Sequence, residues 1–307
     1  MKKQFFRTAV SLILGAALCF GMAFPAWAES FYVENEWNFV DGAMDASHGI
    51  PDNASGVLDR IRRNGVLRVA TEPQYPPFEF IDSEQLDQRQ YIGADMKLAA
   101  LIAERMGVRL EIVPLEFTQV LPSLTESQCD LALSAISFTP NRASSYAMSK
   151  GYYFPETSDS TGFIVREENR DGITSVADLA DKTIVVKSSS LQEALAAKNI
   201  INYREIRRVS SVQAVYEAVR QGRADAGVVE TEVAANYISN NPDAGLVLAE
   251  NLSFTMEEAY RGYRVAAKKG ELQLIYFVNG IINEVLESGL YQQWVDEAQA
   301  RAKELGL

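Results

Sequence analysis

The chain contains a single histidine, His48, and two cysteines, Cys19 and Cys129, among 307 residues. His48 lies in a polar, irregular stretch, so neither a Ser-His-Asp nor a Cys-His arrangement has a credible base. Paired His or Cys spacings for zinc are missing, as is an Asp-x-Asp-x-Asp-Gly calcium loop, and no metal site is expected. Neither a P-loop nor a Gly-x-Gly-x-x-Gly fingerprint is present, and no cofactor is expected. No internal repeat of fixed period is found. Positive charge is also scarce: 29 Lys and Arg stand against 41 Asp and Glu, a formal net charge of −12. That balance argues against nucleic acid or an anionic membrane as a partner.

Long hydrophobic runs are lacking too. The apolar stretch Ala9 to Phe24 is shorter than the roughly 20 residues a membrane-spanning helix needs. With Met1-Lys2-Lys3 and Arg7 before it and Ala26-Trp27-Ala28 after it, it reads as a secretory leader cleaved after Ala28. Cys19 follows the bulky Leu18, so lipid attachment is not expected. Cleavage removes three basic residues, Lys2, Lys3 and Arg7, and leaves Cys129 alone. An intramolecular disulfide is then impossible, and packing must hold the fold. The remaining length is enough for one large or two medium domains.

The stretch 29–56 holds Phe31, Tyr32, Trp37 and Phe39 among acidic and small residues without a steady period, which leaves open whether it packs against the body. From Val57 the pattern becomes regular. Val66 to Ala70 reads as a strand, followed by a loop stiffened by Pro73, Pro76 and Pro77 that carries Glu72 and Tyr75. A helix from Met96 to Met106 with Asp95 as its cap, a strand from Arg109 to Val113 and a helix from Phe117 to Glu126 come next. Leu131 to Ala135 is a buried strand that runs into a helix capped by Thr139, with Pro140 at its first position. Arg142 falls in the first turn of that helix, against the helix dipole, and so asks for an anion. A second unit of the same kind begins near Gly162: strands at 183–186 and 224–229, helices at 190–198, 210–221 and 230–238, and a return strand at 264–267. Two long helices close the chain. The order implies two α/β lobes, each an open, mainly parallel sheet with helices on both faces, joined by two crossovers. Ligands on such sheets bind off the carboxyl ends of the strands, which brings the loops after Ala70, Val113 and Ala135 together.

Several stretches, in order, resemble the periplasmic amino-acid-binding receptors of ATP-driven (ABC) uptake systems, the family 3 extracellular solute-binding proteins. They are Gly65 to Glu72, Tyr75-Pro76-Pro77-Phe78, Gly93-Ala94-Asp95, Leu121 to Leu124, Asp130 to Arg142 and Gly222 to Ala226. The resemblance implies a two-lobed periplasmic binding protein with a first lobe over 57–161 and 263–307 and a second over 162–262. It implies a periplasmic monomer that captures an amino acid and delivers it to a membrane permease. Arg142, Ser137 and the backbone at Ala135 would hold the ligand carboxylate. Tyr75 and Phe117 would sandwich its side chain, with Glu72 favouring a cationic or polar one. Ser190 and Glu230 would close from the second lobe, Glu230 onto the amino group.

Three positions depart from the family pattern. Glu230 replaces the usual Asp, Ser189-Ser190-Leu191 replaces a Gly-Ser-Thr type loop, and Arg264 stands where Gly is common, close to the crossing. The second reading is an exported cyclohexadienyl (prephenate or arogenate) dehydratase, whose start Leu58-Asp59-Arg60-Ile61 with Gly65 to Thr71 resembles as much as it does a receptor's. The general acid of those enzymes maps here to Val233, and no catalytic residue is expected.

Overall fold

A computed structural model describes residues 40–155, 160–255 and 261–307. The leader, Cys19, Phe31, Tyr32, Trp37 and Phe39 lie outside the described residues. Among the described residues, no helix is long and apolar enough to cross a membrane.

Two five-stranded sheets carry the fold. The first runs in the order Arg109–Pro114, Val66–Thr71, Leu131–Ala132, Tyr263–Lys268 and Tyr146–Tyr153. The second runs Glu205–Val209, Thr183–Lys187, Ala226–Glu230, Thr161–Arg166 and Leu246–Phe254. In each, three strands joined through helices are parallel and the last two pair antiparallel. The chain passes from one sheet to the other between Tyr153 and Thr161 and returns between Phe254 and Tyr263. The expected two-lobed α/β architecture is therefore present, with the antiparallel strands lying where the chain changes sheets.

Two strands carry no clear signal in the sequence. Tyr146–Tyr153 is interrupted by Ser149, Lys150 and Gly151, and Glu205–Val209 is an edge strand whose Arg207 and Arg208 face water. The helix expected from Phe117 to Glu126 is divided at Pro122 into Phe117–Val120 and Pro122–Thr125. Asp95 does not cap its helix. Gly93 occupies that position at φ 122, a backbone conformation suited to glycine, and the Asp95 carboxylate turns inward instead.

The helix Leu272–Glu287 is apolar on most of its circumference and packs on the strand Tyr146–Tyr153, while Leu290–Glu304 packs on Ala94–Met106. Residues 40–46 dock on the same long helix. Asn279 Nδ2 donates to the carbonyls of Val40 and Gly42, both at 2.7 Å, and the Met44 N–H donates to the Tyr276 carbonyl at 2.9 Å. Gly280 permits this approach, since a Cβ there would lie 2.0 Å from the Met44 carbonyl oxygen. Gly280→Ala should therefore lift this segment at a cost of about 1–3 kcal/mol, the range for overpacking a filled site. A lower urea midpoint together with faster proteolysis within 40–46 would show it; an unchanged midpoint would refute the docking.

Candidate ligand site between the two sheets

Thr139 caps the helix Pro140–Ser145 as expected, its hydroxyl accepting the Arg142 N–H at 3.2 Å. The Arg142 guanidinium then finds carbonyl oxygens rather than an acid. Nη1 donates to the Ser137 carbonyl at 2.7 Å and Nη2 to the Ser189 carbonyl at 2.9 Å, the latter across to the second sheet's loops. The guanidinium lies 5.8 Å from the centroid of the Phe117 ring. Burial lowers its pKa to about 10, so it stays charged at neutral pH. Among the described residues no carboxylate lies within ion-pair distance of it.

A cavity of about 40 Å³ opens beside Arg142, and Tyr75, Phe117, Ala135, Ser137 and Ser190 line it as well. Six of the eight expected residues thus converge. Lys187 and Tyr263 line it too. Neither was expected, although Lys187 ends a buried parallel strand at the edge where such sheets bind ligands, and a lone cation there was a readable signal.

Glu72 is fully buried one step behind the cavity, and its Oε2 accepts from Lys187 Nζ at 2.5 Å. The same ammonium stands 4.2 Å from the Phe117 ring centroid and 5.2 Å from that of Tyr75. Acid and two ring faces do meet around a cation, but that cation is the protein's own. Burial raises the Glu72 carboxyl above its ordinary value, and the Lys187 charge works against that rise.

The Ala135 amide corrects an expectation. Its N–H donates to Asp95 Oδ2 at 2.9 Å, which removes it as a donor to a carboxylate. The backbone group it has left is an acceptor, suited to an ammonium. Ser190 is likewise committed: its hydroxyl donates to the Lys187 carbonyl at 2.7 Å and accepts the Glu193 N–H at 3.0 Å, capping the helix Leu191–Asn199. Ser190 therefore borders the cavity as a cap rather than as a free donor.

Glu230 does not line this cavity. It sits at the end of its strand, where Oε2 accepts from the Tyr263 hydroxyl at 3.4 Å, and it borders a separate recess with Pro155, Ser160 and Glu232. Burial, and secondarily Glu232, push its carboxyl up to about 8. It is then largely protonated at neutral pH and does not present a fixed anion to an ammonium. Arg264 is buried within the first sheet, its guanidinium 5.2 Å from the Phe138 ring centroid and Nη1 donating to the Ser149 carbonyl.

Under the cavity floor runs a chain of buried acids. Ser134 Oγ accepts the Glu72 N–H at 3.1 Å and donates to Glu79 Oε1 at 3.0 Å. Asp95 accepts from the Ala135 amide and the Tyr152 and Tyr291 hydroxyls. Burial and the neighbouring Asp95 hold the Glu79 carboxyl well above its usual range. Folded protein therefore keeps a proton here that the unfolded chain releases, so this group's contribution to stability declines as pH rises above the ordinary glutamate value.

Residues 67–298 match the profile of the bacterial extracellular solute-binding proteins, family 3, and the chain belongs to that family. It is similar to the L-cystine-binding protein TcyJ of Escherichia coli, 26% identical over 237 residues that cover 77% of this chain and 84% of that protein. It is also similar to the cyclohexadienyl dehydratase of Pseudomonas aeruginosa, 25% identical over 240 residues that cover 77% and 87%. Among solved structures, the amino acid ABC transporter substrate-binding protein AbpA of Streptococcus pneumoniae, bound to L-arginine, superposes with a TM-score of 0.71 at 30% identity, covering 80% of this chain and 98% of that one.

Proposed function

We propose that this protein is a periplasmic receptor that captures a small amino acid between its lobes and delivers it, as a monomer, to the permease of an ATP-driven transporter. The observation that carries the reading is the Arg142 guanidinium, facing a cavity with donors to spare and only carbonyl partners. An α-carboxylate would supply the missing negative charge through a two-pronged contact, helped by Ser137. The first lobe, over 57–161 and 263–307, would hold the ligand, and the second, over 162–262, would close on it through Ser189 and Lys187. Closure follows if the ligand binds the closed form better than the open one, and contacts from both lobes supply that difference. The kinship with the cystine- and arginine-binding proteins supports the ligand class.

Kinship with a dehydratase makes an enzyme the second reading. Val233, which stands where those enzymes carry their general acid, is buried and apolar, so the proton donor would have to come from elsewhere.

Thermal unfolding of the mature protein with each amino acid, and with prephenate, tests both. A ligand at a hundred times its dissociation constant should add about 2.7 kcal/mol of stability. A shift with an amino acid and no phenylpyruvate from prephenate is the expected result; no shift with any amino acid would overturn the receptor reading.

A further inference from the structure

We propose that Lys187 is a built-in occupant of the side-chain position, and that it restricts this receptor to compact amino acids without a cationic side chain. The inference rests on the amino-acid reading above and narrows it.

Lys187 comes from the end of the strand Thr183–Lys187 in the second sheet and reaches Glu72 on the first. A ligand with a cationic side chain would need an acid and two ring faces at this place. Glu72, Phe117 and Tyr75 are those groups, and each is already engaged by the Lys187 ammonium. The lysine is itself buried, the whole residue 8% exposed. A second cation arriving here would meet a like charge at contact range, in surroundings where solvent screens poorly. Arg142 borders the same cavity and adds a second positive charge.

The acids below offer no substitute. Asp95 is fully buried and accepts three hydrogen bonds, and Glu79 is fully buried beneath Ser134. Space points the same way. The cavity left between Arg142 and Lys187 is about 40 Å³, where a single water needs roughly 10–15 Å³ on the same measure. With Lys187 in place there is room for a short ligand, and an extended side chain would have to evict the lysine and break its bond to Glu72.

Isothermal titration of the parent and of Lys187→Met with L-alanine, L-glutamate and L-arginine tests this. The parent should bind L-alanine or L-glutamate more tightly than L-arginine. In Lys187→Met, with Glu72 and both rings released, L-arginine affinity should rise by at least about tenfold. Because that variant leaves Glu72 buried without its cation, Glu72→Gln/Lys187→Met is made in parallel. Lacking both charges, it should still bind L-arginine better than the parent does, by less than the single variant. Tighter L-arginine than L-alanine and L-glutamate binding by the parent, or unchanged L-arginine affinity in whichever variant folds, would overturn the role of Lys187 while leaving the receptor reading standing. A folded parent and folded variants that bind none of the three would overturn the inference and count against that reading too.

Discussion

Replacing Arg142 with alanine should weaken α-amino-acid binding by roughly thirtyfold to a few thousandfold, since truncating one partner of a desolvated charge pair costs about 2–5 kcal/mol. A guanidinium has five N–H donors, and two hydrogen bonds, to the Ser137 and Ser189 carbonyls, are found here. The remaining donors belong to a residue that borders the cavity, and a guanidinium's fork is the geometry a carboxylate fits. Alanine would remove those contacts together with the bridge to Ser189, so ligand contact and closure would fail at once. The fold should survive. Arg142 is a half-buried cation without a carboxylate partner among the described residues, and such a partly desolvated charge is itself a cost to stability that alanine relieves. Titration calorimetry would give the loss of affinity, and the midpoint of urea unfolding without amino acid should stay close to the parent's. Arg142→Lys keeps the charge but not the fork, and should fall between the two. An alanine variant that binds as tightly as the parent would remove Arg142 from the carboxylate role.

Arg142 was legible because its position was odd. A cation in the first turn of a helix capped by Thr139 and Pro140 demands an explanation, and the chain order alone brings Tyr75, Phe117 and Ser137 to the same sheet edge. These are local signals read against a simple topological rule. What escaped was long-range pairing. Nothing near Glu72 in the sequence indicates that Lys187, 115 residues away, reaches across to it. Glu230 failed for the related reason that strand position fixes where a Cα lies but not which layer its carboxyl enters. Tyr263 accepts that place in the wall and leaves Glu230 behind it. The role given to the Ala135 backbone failed because its amide was taken by Asp95, a residue the local pattern marks only as a helix cap. Sequence periodicity reports burial well. It reports hydrogen-bond partners poorly, since a buried acid can serve a helix end, a distant amide or a tyrosine with equal ease.

Asp95→Ala should be the most damaging single change to stability, at about 3–5 kcal/mol. Its carboxylate accepts the Ala135 N–H at 2.9 Å, the Tyr152 hydroxyl at 2.8 Å and the Tyr291 hydroxyl at 2.5 Å, and no part of the residue reaches solvent. Alanine leaves three buried donors without an acceptor, each costing about 1–3 kcal/mol, offset in part because an acid that burial makes costly is removed. Asn is no remedy, since its amide would point a donor at one of the hydroxyls or at Ala135. The loss should also reach the ligand. Ala135 sits at φ 44, in the left-handed region that alanine adopts only when held, and its bond to Asp95 is part of what holds it. Released from that bond, the turn carrying Ser134 and Ser137 would relax away from Arg142 and loosen the carboxylate site. Tyr152→Phe and Tyr291→Phe each remove one donor together with its need for an acceptor, so they should cost less than Asp95→Ala and leave affinity nearly intact. Urea unfolding at a constant denaturant slope, paired with titration calorimetry, separates the two effects. If Asp95→Ala lost less than about 1 kcal/mol, the three hydrogen bonds would not be holding the floor of the site. If it lost stability without affinity, Ala135 would be held by the sheet alone and Asp95 would matter to the fold but not to the ligand.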